Sequence, residues 1–94
     1  MNRTQEKIWN EAHLMALHLN AMVDQGHIIA FCGELLHQKL QIDDASKCLR
    51  INRVSKSGEF IDGSCIFDPE EEQILSSARR YMKESFAVYK RVEW

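Results

Sequence analysis

Apolar residues fall at Ile8, Ala12, Met15, Leu19 and Met22, a 4-3-4-3 spacing that lines one face of a helix. This spacing predicts a helix over 4–25. Trp9, Ala16 and Val23 repeat at seven beside it and widen the stripe. Asn2 with Gln5, or Thr4 alone, is placed to cap the start. Gly26 suits the position just past the end, where the backbone often turns left-handed. A second helix is predicted over 27–41 from Ile28, Cys32, Leu35, Leu36 and Leu40. Its first part, His27–Cys32, also reads as a buried strand, and Gly33 weakens a helix by about 1 kcal/mol relative to Ala. The pattern continuing through Gly33 into Glu34–Gln41 favours helix.

Asp43–Ser46 reads as a loop. Lys47–Val54 then alternates, with Leu49 and Ile51 on one face and Arg50 and Asn52 on the other, which is strand periodicity. Ser55–Gly58 is a turn. Glu59–Phe67 is the returning strand, with Ile61, Cys65 and Phe67 on one face. Asp62-Gly63 is a candidate bulge, or a second turn giving three strands. A last helix is predicted from Asp68 as N-cap, with Pro69 at the first helical position and Glu71 completing a capping box. Glu70, Glu71 and Glu72 lie at its start. Arg79, Arg80, Lys83, Lys90 and Arg91 lie toward its end, the order the helix dipole favours. Leu75, Ala78, Met82, Phe86 and Tyr89 form its apolar face, flanked by Ile74, Tyr81 and Val88.

The predicted order is α-α-β-β-α. The expected fold is a single small α+β domain spanning 1–94. A helical hairpin and a C-terminal helix pack with a two- or three-stranded antiparallel ribbon, since a lone ribbon cannot stand by itself.

At 94 residues and 11.0 kDa there is no room for two ordinary domains. Hydrophobic content of 45% with 28% charged residues argues for a folded chain rather than disorder. The longest apolar run, Ile28–Cys32, is far short of the roughly 20 residues a transmembrane helix needs. The polar start Asn2–Lys7 has no signal-peptide core. Cys32, Cys48 and Cys65 are odd in number and flanked by apolar residues, so buried free thiols are expected. Together these features suggest a cytoplasmic protein with no membrane partner.

Chemistry-bearing motifs are sparse. His13 and His18 are five apart, as are Cys32 and His37, an offset of about 140° on a helix, so neither pair converges on a metal. Cys65 follows Gly63-Ser64, but no motif supplies it with a base and an oxyanion donor. No glycine-rich phosphate loop, zinc-protease motif or nucleophile elbow occurs. A non-catalytic chain without metal or cofactor is expected.

Charge and apolar surplus point toward binding. Lys47, Arg50, Arg53 and Lys56 are consecutive positives, and Glu59, Asp62, Asp68, Glu70, Glu71 and Glu72 are consecutive negatives. Pairing across the ribbon accounts for much of this. Leu14, Leu17 and Ala21 lie off the main stripe of the first helix, Phe31 off that of the second, and Val92 and Trp94 end the chain. So short a chain does not easily cover a helix that is apolar on two sides. The leading expectation is a small protein-binding module of the accessory kind common in phage and mobile elements, which inhibits or adapts a larger enzyme or complex. Its expected surface combines Leu17, Phe31 and Trp94 with Arg79, Arg80 and Lys83, and self-association is a further expectation. The net charge of −2 and pI near 6.1 make nucleic acid the less favoured partner. That alternative would use Arg50, Arg53, Arg79, Arg80 and Lys83.

Overall fold

A computed structural model describes residues 3–36, 38–54, 57, 59–68 and 78–90. The fold is α+β with two three-stranded antiparallel sheets. Helix α1 (Arg3–Asp24) agrees with the predicted first helix. It ends where the sequence anticipates. Gly26 adopts φ +93, its N–H donates to the Val23 carbonyl at 3.0 Å, and the His27 N–H donates to the Met22 carbonyl at 3.0 Å. This paired arrangement satisfies carbonyls that the last turn would otherwise leave open.

The second helix is not formed. Residues 27–41 instead hold β1 (Ile28–Phe31), β2 (Glu34–Leu36) and the start of β3 (Gln41–Asp43), so the strand reading of His27–Cys32 is the correct one. Cys32 and Gly33 form the two-residue link between β1 and β2, with φ +49 and +84, the positive pair of a type I′ hairpin turn. Gly33 thus marks a turn rather than a weak point in a helix. β1 gains its second neighbour from far along the chain, β6 (Phe86–Tyr89), in the order β2-β1-β6.

The other sheet has the order β3-β4-β5, with β4 (Cys48–Val54) and β5 (Phe60–Phe67) close to prediction. β3 supplies the third strand of the expected ribbon. Asp62 and Gly63 pair in regular register with Arg53 and Asn52. The strand therefore does not turn there. The irregularities fall beside Ile61 and Ile66, each left over between paired residues.

The predicted last helix ends earlier than expected, at Ser85. Residues 69–77 and 91–94 lie outside the described residues, and with them the capping roles expected of Pro69 and Glu71. Helix α2 (Ala78–Ser85) carries Met82 inward, and the chain then passes directly into β6. Phe86, Val88 and Tyr89 were expected on a helical face. Aromatic and β-branched residues in succession also suit a strand, and the edge of β1 supplies the hydrogen bonds that decide between them.

The core joins both sheets to both helices. Phe67 is buried, with its ring centroid 6.4 Å from Trp9 of α1 and 5.9 Å from Tyr81 of α2. The Tyr81 hydroxyl donates to the Ile66 carbonyl, which ties α2 to β5. Buried Ala12 and Ala16 on α1 and Ala78 on α2 keep these helices slim where they belong to the same core. Of the cysteines only Cys48 is buried. Cys32 and Cys65 are exposed, contrary to expectation, because one sits on the hairpin turn and the other faces outward from β5 beside Arg50. All three are free.

Polar contacts hold the middle of the chain to α1, among them the ion pair of Lys39 with Asp24 at 3.2 Å. The Asn20 side chain donates from Nδ2 to the Leu40 carbonyl at 3.0 Å and accepts the Leu40 N–H at Oδ1 at 2.8 Å. It satisfies both backbone groups of a residue just outside β3. Asn20→Ala is expected to cost about 1–3 kcal/mol, because the part-buried pair then has no partner. Urea unfolding should show this as a lower midpoint with an unchanged slope.

Candidate functional site

The seam between α1 and α2 carries the most distinctive surface among the described residues. The stripe that buries Ala12 and Leu19 and partly buries Met15 leaves Leu14 about 100° around the helix from Met15. Leu14 is accordingly 68% exposed, the most exposed large hydrophobic among the described residues. It stands beside a hollow of about 300 Å³ lined by Leu14, Met15, His18, Leu19, Met82, Lys83 and Phe86. A second hollow of about 230 Å³ is lined by Glu11, Leu14, Met15 and Arg79. The two share Leu14 and Met15 as walls, so they form one groove along the helix pair.

The groove floor is apolar, with two methionines that adapt to varied shapes. Its charged rim comes from α2. Arg79 and Lys83 are four apart and share a helix face. Both are exposed, and neither has an ion-pair partner among the described residues. Glu11 is the acid on the opposite wall. Such a volume is at the lower end of small-molecule pockets. It suits a few apolar side chains of a larger ligand, with an anionic group beside them.

No family model, curated protein or solved structure matches this chain.

The residues singled out from sequence are dispersed by the fold. Arg79 lines the smaller hollow and Lys83 the larger. Arg80 points elsewhere and pairs with Glu84 at 2.9 Å, which raises its already high pKa. Leu17 is 47% exposed on α1 but lines neither hollow. Phe31 is half-buried and packs on Phe86 with centroids 5.1 Å apart, so its ring supports β6 from below. Trp94 lies outside the described residues. Sequence reasoning named Leu14 only as surplus and assigned Met15, Leu19, Met82 and Phe86 to the core. The available signal was the second stripe, Leu14-Leu17-Ala21, whose members are all exposed.

On the ribbon, Lys47 Nζ lies 5.9 Å from the Trp9 ring centroid. The Ser46 hydroxyl and N–H both donate to the Asp43 carboxylate and hold it below the usual carboxylate range, with Arg50 a smaller contributor. Cys65 is not set up as a nucleophile. Desolvation, and then the neighbouring Cys48, push its thiol above the ordinary cysteine value, and it donates to the Phe67 carbonyl at 3.4 Å. Among the described residues no three His, Cys, Asp or Glu side chains gather to hold a metal, and no helix is long and apolar enough to cross a membrane.

Proposed function

We propose that this chain is a small non-catalytic protein-binding module, and that the α1–α2 groove is where it grips its partner. The observation that carries this reading is Leu14, left exposed at the rim of an apolar hollow beside two cations, Arg79 and Lys83, that have no ion-pair partner among the described residues. The matching ligand is an amphipathic helical segment. Its apolar residues at i, i+3 or i+4 enter the groove beside Leu14 and Met15, and an acidic residue meets Arg79 or Lys83. Through that grip the module inhibits or adapts a larger enzyme or assembly.

The nucleic-acid reading fares less well on geometry. Its basic residues are divided between β4 and α2, and Arg80 is already paired with Glu84. Salt separates the two readings. Binding through four phosphate contacts would fall by about 10²-fold between 50 and 200 mM salt. A partner captured from native host lysate and held in the groove should weaken less than about tenfold over that range. The double variant Arg79→Glu with Lys83→Glu should weaken it by about tenfold and remove most of the residual salt dependence. A steep salt loss, with the captured partner being nucleic acid, would refute the groove reading.

A further inference from the structure

Four strands form the sheet edges among the described residues, and one of them differs in kind. β2 carries Glu34, β3 carries Asp43 and β5 carries Asp62, while β6, Phe86-Ala87-Val88-Tyr89, has neither a charged residue nor a proline. Charges on edge strands are what keep sheets from pairing with other chains. β6 lacks that protection, and Val88 and Tyr89 are 39% and 52% exposed.

The hydrogen-bond pattern fixes which groups of β6 face outward. Ser85 accepts the Cys32 N–H at 2.7 Å, at the position that continues the β1–β6 register. In an antiparallel ladder, hydrogen-bonded pairs alternate. Ala30–Ala87 and Ile28–Tyr89 are therefore the bonded pairs, and Ala87 and Tyr89 spend their backbone groups on β1. The N–H and C=O of Phe86 and Val88 point away from the sheet, as do those of Lys90 if the strand direction is continued.

From this we infer that β6 is the seam of a homodimer, pairing antiparallel with β6 of a second copy about a two-fold axis beside Val88. Such an axis, normal to the sheet, requires directly opposed residues to share a face, so the register must be centred on a residue. Centred on Val88, the register pairs the outward groups of Phe86, Val88 and Lys90 on each strand, more than a register centred on Ala87 or Tyr89 does. Val88 then exchanges both bonds with Val88 of the second copy. Ala87 lies opposite Tyr89 of the other strand, small against large, and Lys90 lies opposite Phe86. No like charges meet. A register centred on Lys90 would bring the two lysines together. Symmetry makes every contact occur twice and satisfies both edges at once. Because the axis is normal to the sheet, the helices of both copies stay on one side. Phe86, which lines the groove, lies on that side, so the dimer presents two grooves on the same face. The dimer does not depend on the groove reading.

Mass in solution tests this by light scattering across micromolar to submillimolar concentrations. The expected result is twice the 11.0 kDa chain mass at the upper end, dissociating on dilution. Val88→Pro removes an outward N–H that β1 does not use, so it should give a folded monomer with an unchanged far-ultraviolet spectrum. If that variant unfolds, Val88→Lys makes the same test through charge. Val88→Cys, in a Cys32→Ser and Cys65→Ser background, should form an intermolecular disulfide with oxidised glutathione, releasing two reduced glutathiones. The facing Cα atoms of a bonded pair are about 5.5 Å apart, within disulfide range. Leu35→Cys on the opposite edge should not cross-link. A wild-type monomer at all concentrations would overturn the inference. So would a dimer that survives whichever of Val88→Pro or Val88→Lys folds, or equal cross-linking at Leu35.

Discussion

Replacing Trp9 by Ala should lower the unfolding free energy by about 3–5 kcal/mol, the usual cost of deleting a buried aromatic side chain. Trp9 is 2% exposed and joins three parts of the fold. Its ring stacks on His13 one helical turn away, with centroids 5.3 Å apart and planes at 21°, and it lies against Phe67 of β5. The Lys47 cation, on the turn between β3 and β4, rests above it. That turn places Lys47 at φ +54, so the cation is delivered by a backbone conformation that non-glycine residues seldom adopt. Truncation removes the plate on which α1 meets that sheet. A chain of this length has a total stability of roughly 5–14 kcal/mol. The loss is thus a large share, and the melting temperature should fall by more than about 12 °C. Trp9→Phe keeps part of the packing and should cost distinctly less. A fall of under about 5 °C for Trp9→Ala would mean that α1 is not anchored through Phe67.

Leu14→Glu should have the opposite profile. The residue is 68% exposed, so folding stability should change by no more than about 0.5 kcal/mol. Partner affinity should fall by at least about 30-fold, the 2 kcal/mol expected for loss of a central apolar anchor, here worsened by a carboxylate set above an apolar floor. Leu35→Glu, at 51% exposure on β2, is the matched control and should leave binding unchanged. A functional residue separates from a structural one by this contrast: Trp9 moves the melting curve, and Leu14 moves the binding curve.

The parts of the fold that were legible in sequence are those whose hydrogen bonds are local or whose pattern allows a single period. The Ile8-Ala12-Met15-Leu19 stripe fits only a helix, and Gly26 closes it as glycine should. Leu49-Arg50-Ile51-Asn52 fits only a strand. Ile28–Leu36 is different. Ile28, Cys32, Leu35 and Leu36 satisfy a helical period, and the hairpin that forms in their place turns on Cys32 at positive φ, where Asn or Asp is the usual signal. Phe86–Tyr89 has the same ambiguity. Its partner β1 lies more than fifty residues earlier, and no local pattern announces that pairing. The two misread segments are each other's partners, so one unseen contact accounts for both errors.

The groove was half legible for a related reason. Arg79 and Lys83 stood out because charge at i, i+4 is visible along a helix. Met15, Leu19, Met82 and Phe86 could not be separated from the core by spacing, since a residue lining a groove and one filling the interior share the same helical face. Only the packing of α1 against α2 tells them apart.

The central claim, that the α1–α2 groove holds a protein partner, is tested most directly by replacing Leu14 with a photoreactive aromatic amino acid and irradiating the protein in native host lysate. One dominant protein adduct is expected. Excess wild-type protein should compete it away, and excess Leu14→Glu protein should not. A nucleic-acid adduct, the absence of any adduct at position 14, or equal competition by the two proteins would contradict it.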